Sequence, residues 1–120
     1  MSQELPIRAV LTVHRDVRYA ASMQEGTLAT AVRPDLMNAS DAESDRYEEL
    51  LVNPAILALT VNRGNIDCGG LDYILIRYGS FFQLVMPIRG GHLSVCIEPA
   101  ADVLAVVHAV REIAGAQAPE

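Results

Sequence analysis

Three runs of apolar residues separated by glycines fill the stretch from Leu71 to Pro99, LDYILIRYGSFFQLVMPIRGGHLSVCIEP. Their content of Ile, Leu, Val, Phe and Tyr favours strands, so the stretch predicts a three-stranded antiparallel meander. Gly79-Ser80 fits a two-residue type II′ turn, and Arg89 to His92 fit a longer glycine-containing loop. We interpret both faces of the meander as apolar, which predicts that both are covered, by helices or by another subunit.

The chain before residue 35 predicts a hairpin preceded by one ambiguous segment. Residues 4–14 fit helical spacing and strand alternation equally well, and their β-branched content favours a strand, so the residues alone leave this segment open. Val17 to Gln24 and Thr27 to Arg33 are typical of two strands joined at Glu25-Gly26. Because the second strand ends at Pro34 and is only modestly apolar, we place it at a sheet edge.

Two helices are predicted around the meander. Asp35 to Asp45 offer several N-caps before an apolar helical face at Tyr47, Leu50 and Leu51. Asn53-Pro54 predicts one long helix kinked near Asn53, or two joined pieces, and Arg63-Gly64 would end it. The last helix has helically spaced apolar residues and ends at Gly115, with residues 115–120 as a frayed tail. Its apolar positions are Val103, Val106, Val107, Val110, Ile113 and Ala114.

Composition narrows the class of protein. At 120 residues and 51% hydrophobic, the chain predicts a single folded domain over residues 1–120. A net charge of -6 without a basic cluster disfavours nucleic acid and anionic membrane as partners. All nine basic residues are arginine, which excludes a phosphate-binding lysine of the Walker type and Schiff-base catalysis. Neither a signal-peptide pattern nor an apolar span of bilayer length is present, so we expect a cytoplasmic protein.

Candidate chemistry is sparse. His14, His92 and His108 have no predicted nucleophile beside them, and we interpret them as surface or partly buried histidines. Cys68 lies among acidic residues, which disfavour a reactive thiolate, and Cys96 is typical of a small core residue. We therefore predict no catalytic residues, no cofactor and no metal, and expect both thiols to be reduced.

The order of elements resembles that of roadblock (dynein light chain, MglB-like) domains. The resemblance covers nearly the whole chain and includes the meander and the final strand that runs through Glu98-Pro99 into a helix. It implies a three-layer α/β/α sandwich with five antiparallel strands in the order 2-1-5-4-3. The long helix would cover one face and the terminal helices the other, which makes residues 4–14 a short helix.

The resemblance also implies a function. Such proteins are scaffolds and regulators of small Ras-like GTPases, not metabolic enzymes, and this chain looks most like an MglC-type bacterial polarity adaptor that binds another roadblock protein or a GTPase. The implied homodimer interface comprises Tyr47, Leu50, Leu51, Leu71, Tyr73 and Leu75. The implied partner-binding edge comprises Glu25, Gly26, Thr27, Leu28 and Thr30. A small-ligand sensor of profilin-like architecture is the alternative, and a thiol enzyme using Cys68 is a third.

Overall fold

The computed structural model of the chain describes residues 5–34 and 42–118. The elements, in chain order, are α1 (Ile7–Thr12), β1 (Val17–Gln24), β2 (Thr27–Val32), α2 (Ala42–Tyr47), a π-helical segment (Glu48–Val52), α3 (Asn53–Asp67), β3 (Ile74–Arg77), β4 (Phe82–Ile88), β5 (Gly91–Ile97), α4 (Val103–Ala114) and a 3₁₀ turn (Gly115–Gln117). The N-caps expected within residues 35–41 lie outside the described residues. We call residues 42–67, from α2 through α3, the long helix.

The five strands form one antiparallel sheet in the order β2-β1-β5-β4-β3, which confirms the predicted topology. The hairpin turn lies at Glu25-Gly26 as predicted, with φ of 51° and 79°. Two positive φ values in a two-residue loop are typical of a type I′ turn, whose twist matches that of the flanking strands. The ambiguous N-terminal segment is a short helix, as the family resemblance implied.

One face of the sheet packs against α1 and α4 in an apolar core. Leu84, Leu93 and Val95 are fully buried in this core, and Val106 and Val110 of α4 belong to the same cluster. Asp102 caps α4, because its Oδ1 accepts a hydrogen bond from the Ala105 amide at 3.4 Å. The long helix covers the opposite face, so the sandwich has the three predicted layers.

The long helix is irregular next to Asn53-Pro54 and ends later than predicted. Where we predict a kink or a join, it passes through the π-helical segment, in which the Asn53 amide donates to the carbonyl of Glu48, five residues back. It also continues past Gly64 to Asp67. Gly64 is buried, and a Cβ there would lie 2.9 Å from the Leu71 amide nitrogen, so this glycine allows close approach of the following loop and does not end the helix.

The meander is corrected in three places. β3 begins at Ile74 and not at Leu71, because Pro87, the next residue of β4 that would bond to this strand, has no N–H to donate. The Tyr78 amide donates to the Phe81 carbonyl at 2.9 Å across Gly79-Ser80, but Gly79 does not take the positive φ of the predicted type II′ turn. The expected loop from Arg89 to His92 is a two-residue turn, so His92 belongs to β5.

The C-terminus is ordered further than predicted. Residues 115–117, expected in a frayed tail, form the 3₁₀ turn, and the Arg89 amide donates to the Gln117 carbonyl at 2.7 Å. This bond ties the end of α4 to the β4–β5 turn. Residues 119 and 120 lie outside the described residues.

Candidate interaction surfaces

The middle of the long helix exposes large apolar side chains. Residues 50–62 contain no charged side chain, although much of this stretch is on the protein surface. A helix that is apolar on all sides normally has a second covering layer. We call its exposed large side chains the outer stripe: Tyr47 (62% exposed), Leu50 (40%), Leu51 (57%), Leu59 (75%) and Ile66 (75%).

The β3 edge of the sheet contains the other half of the predicted homodimer interface. Leu71, Tyr73 and Leu75 are half-buried, and the side chains of Tyr73 and Leu75 pack against the core under α4, not beside the outer stripe. Their backbones point outward, however. The Tyr78 amide donates to the Phe81 carbonyl at 2.9 Å, and every second residue of an antiparallel strand bonds to the same neighbour. The N–H and C=O groups of Tyr73 and Leu75 therefore face away from the sheet.

The β2 edge contains the predicted partner-binding residues. Glu25, Gly26, Thr27 and Thr30 are exposed, and Leu28 is half-buried. The two-residue turn makes Gln24–Thr27 a hydrogen-bonded pair, so the backbone groups of Leu28 and Thr30 face outward. No charged residue lies within β2, and an uncharged edge of this kind is a ready template for another strand.

Beneath the long helix the sheet face has many polar side chains beside Ala21 and Val85, which corrects the expectation that both faces are apolar. We call this buried set the polar layer: Tyr19, Glu49, Asn53, Gln83, His92, Ser94 and the partly buried Cys96. Residues opposite each other on neighbouring strands share a face, and the pairs Tyr19–Cys96 and Gln83–Cys96 place these strand residues on the side away from α4.

Hydrogen bonds connect the polar layer to the π-helical segment. The Nε2 atom of His92 lies 2.7 Å from Oε1 of Glu49, and Asn53 Nδ2 donates to the same oxygen at 3.0 Å. Glu49 and His92 are almost completely buried, with side-chain exposures of 1% and 3%. On the sheet, Gln83 donates to the Ser94 hydroxyl, and the Cys96 thiol donates to Gln83 Oε1 at 3.1 Å.

The polar layer shifts the pKa values of two weak acids. Burial raises the pKa of the Tyr19 hydroxyl far above its ordinary value, and the negative charge of Glu49 raises it further. Burial, followed by the same carboxylate, raises the pKa of the Cys96 thiol. Both groups are therefore protonated at neutral pH, so Cys96 is a hydrogen-bond donor and not a thiolate nucleophile.

A sequence signal for the polar layer was present. In β5 the order His92, Leu93, Ser94, Val95, Cys96 alternates polar or weakly polar with apolar residues. Such alternation usually indicates one wet face, whereas here the second face is covered by the long helix. The sequence predicts a surface or partly buried loop position for His92, whereas the side chain is only 2% exposed and lies in β5. His108 is exposed on α4, as expected.

Glu48, beside the polar layer, gives the fold a pH dependence. Burial raises the pKa of Glu48 above its ordinary 4.5, although the Tyr78 hydroxyl, which donates to Glu48 Oε2 at 3.2 Å, partly lowers it. A raised carboxyl pKa contributes stability below the unfolded value that is lost as the pH rises through the folded value. We therefore expect the free energy of unfolding, relative to that of Glu48→Gln, to fall as the pH rises from about 4.5.

Chemical denaturation of both proteins at several pH values measures this difference. Tyr78→Phe is the control, because losing the hydroxyl raises the Glu48 pKa further and moves the fall to higher pH. Parallel pH profiles for the wild type and Glu48→Gln would contradict the assignment to Glu48.

A cleft of about 700 Å³ lies between the C-terminal ends of α3 and α4. Met86, Pro87 and Ile88 line its floor, and an ion pair between Asp72 and Arg111, 3.1 Å apart, lies beside them. The cleft is open and mixed in polarity, unlike the closed apolar pocket that the ligand-sensor alternative requires. It therefore gives that alternative no specific support.

Metal binding, a reactive Cys68 thiol and membrane insertion are the other features on which the described residues bear. Among residues 5–34 and 42–118, no three His, Cys, Asp or Glu side chains are grouped so that they could hold a metal ion. Cys68 is exposed and free, and its thiol donates to Asp67 Oδ1 at 3.3 Å. In the same part of the chain, no helix is both long and apolar enough to cross a membrane.

Solved structures of other proteins share this architecture, although no protein-family model and no curated protein matches the sequence. The chain is similar to a roadblock/LC7 domain from Streptomyces avermitilis, with a TM-score of 0.69 and 13% identity over 91% of this chain and 88% of the other. It is also similar to the gliding protein MglB from Thermus thermophilus, with a TM-score of 0.67 and 14% identity over 93% and 82% of the two chains. The chain therefore has the fold of the roadblock domains.

Proposed function

We propose that this protein is a homodimeric, cytoplasmic roadblock-type adaptor without catalytic residues of its own. It binds another roadblock-type protein or a small Ras-like GTPase, in the regulation of bacterial polarity or motility. The observation that carries the proposal is the joint presence, on a roadblock fold, of an apolar outer stripe and two strand edges with outward backbone groups.

The outer stripe supports self-association through the long helix. Its five large apolar side chains are exposed along one helix, and no charge between residues 50 and 62 would oppose a second copy. In a twofold dimer the same patch of each subunit forms the interface. An apolar patch can pack against its own copy, whereas a patch with charges of one sign would repel its copy. Tyr47, Leu50 and Leu51 lie in this patch, as the predicted interface requires.

The β3 edge supports the same dimer. The backbone groups that face outward belong to Tyr73 and Leu75, and two antiparallel copies of this edge would continue the sheet across the twofold axis. Strand pairing between subunits would then use their main chains while their side chains stay in the core. This arrangement leaves β2 as the free edge for a different protein.

Partner binding through β2 is tested by proline substitution. Thr30→Pro removes one outward N–H and leaves the ladder to β1 intact, so we expect affinity for the partner to fall about tenfold, the loss of one well-formed hydrogen bond. Thr30→Val keeps the N–H and is the matched control. Calorimetric titration with roadblock-type proteins and Ras-like GTPases from the same genome measures the affinity.

Each outcome of this titration bears on a different part of the proposal. Equal affinity for Thr30→Pro and the wild type would exclude β2 as the binding edge. A wild type that binds neither class of protein would contradict the adaptor function itself.

A further inference from the structure

The π-helical segment brings the two ends of the outer stripe into line. Tyr47 and Ile66 are 19 residues apart. In an uninterrupted α-helix, at about 100° per residue, they would point about 100° apart around the axis. A π turn accommodates one extra residue, so their separation equals about 18 α-helical steps, or about five whole turns. Both side chains are accordingly exposed on one side of the helix.

The same π turn aligns the inner face of the long helix. Glu49, Asn53, Leu57 and Gly64 are its buried residues, and they run along the side opposite the outer stripe. Glu49 meets His92 on the sheet, and Gly64 meets the loop at Leu71. Both ends of the inner face therefore make close contacts at once.

Two features favour the π register at this point. Pro54 has no N–H and its ring would clash with the carbonyl four residues back in a regular α-helix, a conflict that the wider turn relieves. The carboxylate oxygen Oε1 of Glu49 lies 2.7 Å from Nε2 of His92 on the sheet and 3.0 Å from Nδ2 of Asn53 in the same helix. A π turn is rare, so it persists where surrounding contacts stabilise it.

We propose that the π-helical segment, held by Pro54 and by the Glu49–His92 contact, is a register device that determines which face of the long helix is presented to a second copy of the chain. If the same residues formed a regular α-helix without the π turn, Tyr47 would point away from Leu59 and Ile66, and the outer stripe would be divided. The consequence for assembly rests on the proposed function, whereas the register itself does not.

The register is measured directly by scalar couplings across hydrogen bonds in an isotopically labelled protein. In the wild type we expect the Asn53 amide nitrogen to couple to the carbonyl carbon of Glu48. In the triple variant Glu49→Leu/His92→Leu/Pro54→Ala, which replaces the buried pair by apolar side chains and restores the N–H, we expect coupling to the carbonyl of residue 49. Coupling to residue 48 in the folded triple variant would overturn the proposal.

Single-residue deletions test the device if the triple variant does not fold. In a Pro54→Ala background, deleting Leu50 removes the extra residue, so we expect the thermal midpoint to stay within a few degrees. Deleting Leu59 instead rotates Gly64 away from Leu71 and should lower the midpoint by more than about 10 °C. Equal losses for the two deletions would overturn the proposal. Because neither readout depends on dimerisation, a monomeric wild type would contradict the proposed function and leave the register device intact.

Discussion

Leu59→Arg is expected to weaken self-association about 30-fold, which corresponds to about 2 kcal/mol for a residue at the centre of an interface. Leu59 is 75% exposed at the middle of the outer stripe, so in the monomer its replacement disturbs no core contact. In the dimer it would place an arginine, and its twofold mate, against an uncharged apolar surface. Sedimentation equilibrium over a range of concentrations measures the dissociation constant.

The matched control for this prediction is Leu104→Arg. Leu104 is 61% exposed on α4, on the other side of the sheet from the long helix. We expect this variant to associate like the wild type. Equal weakening by both substitutions would show a general effect of charge and contradict an interface at the outer stripe.

Glu49→Ala is expected to lower the free energy of unfolding by about 3 kcal/mol, because it removes the acceptor from two buried donors. His92 Nε2 and Asn53 Nδ2 both meet Glu49 Oε1, and the residues around them are excluded from water. Glu49→Gln keeps a side-chain oxygen in place, so its loss should be smaller. Denaturant titration monitored by circular dichroism measures each value.

The double variant Glu49→Leu/His92→Leu shows whether the lost stability comes from unpaired hydrogen-bond donors or from lost packing. Replacing both partners of a buried polar pair by apolar residues is often close to neutral, and here it leaves only Asn53 Nδ2 without its acceptor. We expect the double variant to lose about 1 kcal/mol relative to the wild type, the cost of that one unpaired donor. A double variant as unstable as Glu49→Ala would contradict this account and indicate that packing, and not the hydrogen bonds, decides the loss.

The strands and the last helix were predictable because local patterns determine them. Apolar runs broken by glycines located β4, β5 and the hairpin at Glu25-Gly26, and helical spacing located α4 to its end at Ala114. The strand order came from the resemblance to roadblock domains, since local patterns do not specify which strands are neighbours. The sheet of this chain has that order, and a solved roadblock/LC7 domain shares the fold.

The misses share a cause, which is contact between residues distant in sequence. Gly64 matched a helix-stop signal, yet it lies within α3 because the loop at Leu71 approaches it closely. Pro87 shortens the neighbouring strand β3, while its own strand continues to Ile88. His92 followed two glycines and was placed in a loop, although it is buried against Glu49, 43 residues away in the sequence.

The proposed dimer joins two chains through the outer stripe and the β3 edge. Light scattering on the wild-type protein, from low to high micromolar concentration, measures whether this dimer forms. We expect a solution mass of twice the chain mass of 13.0 kDa. A mass of one chain at every concentration would contradict it.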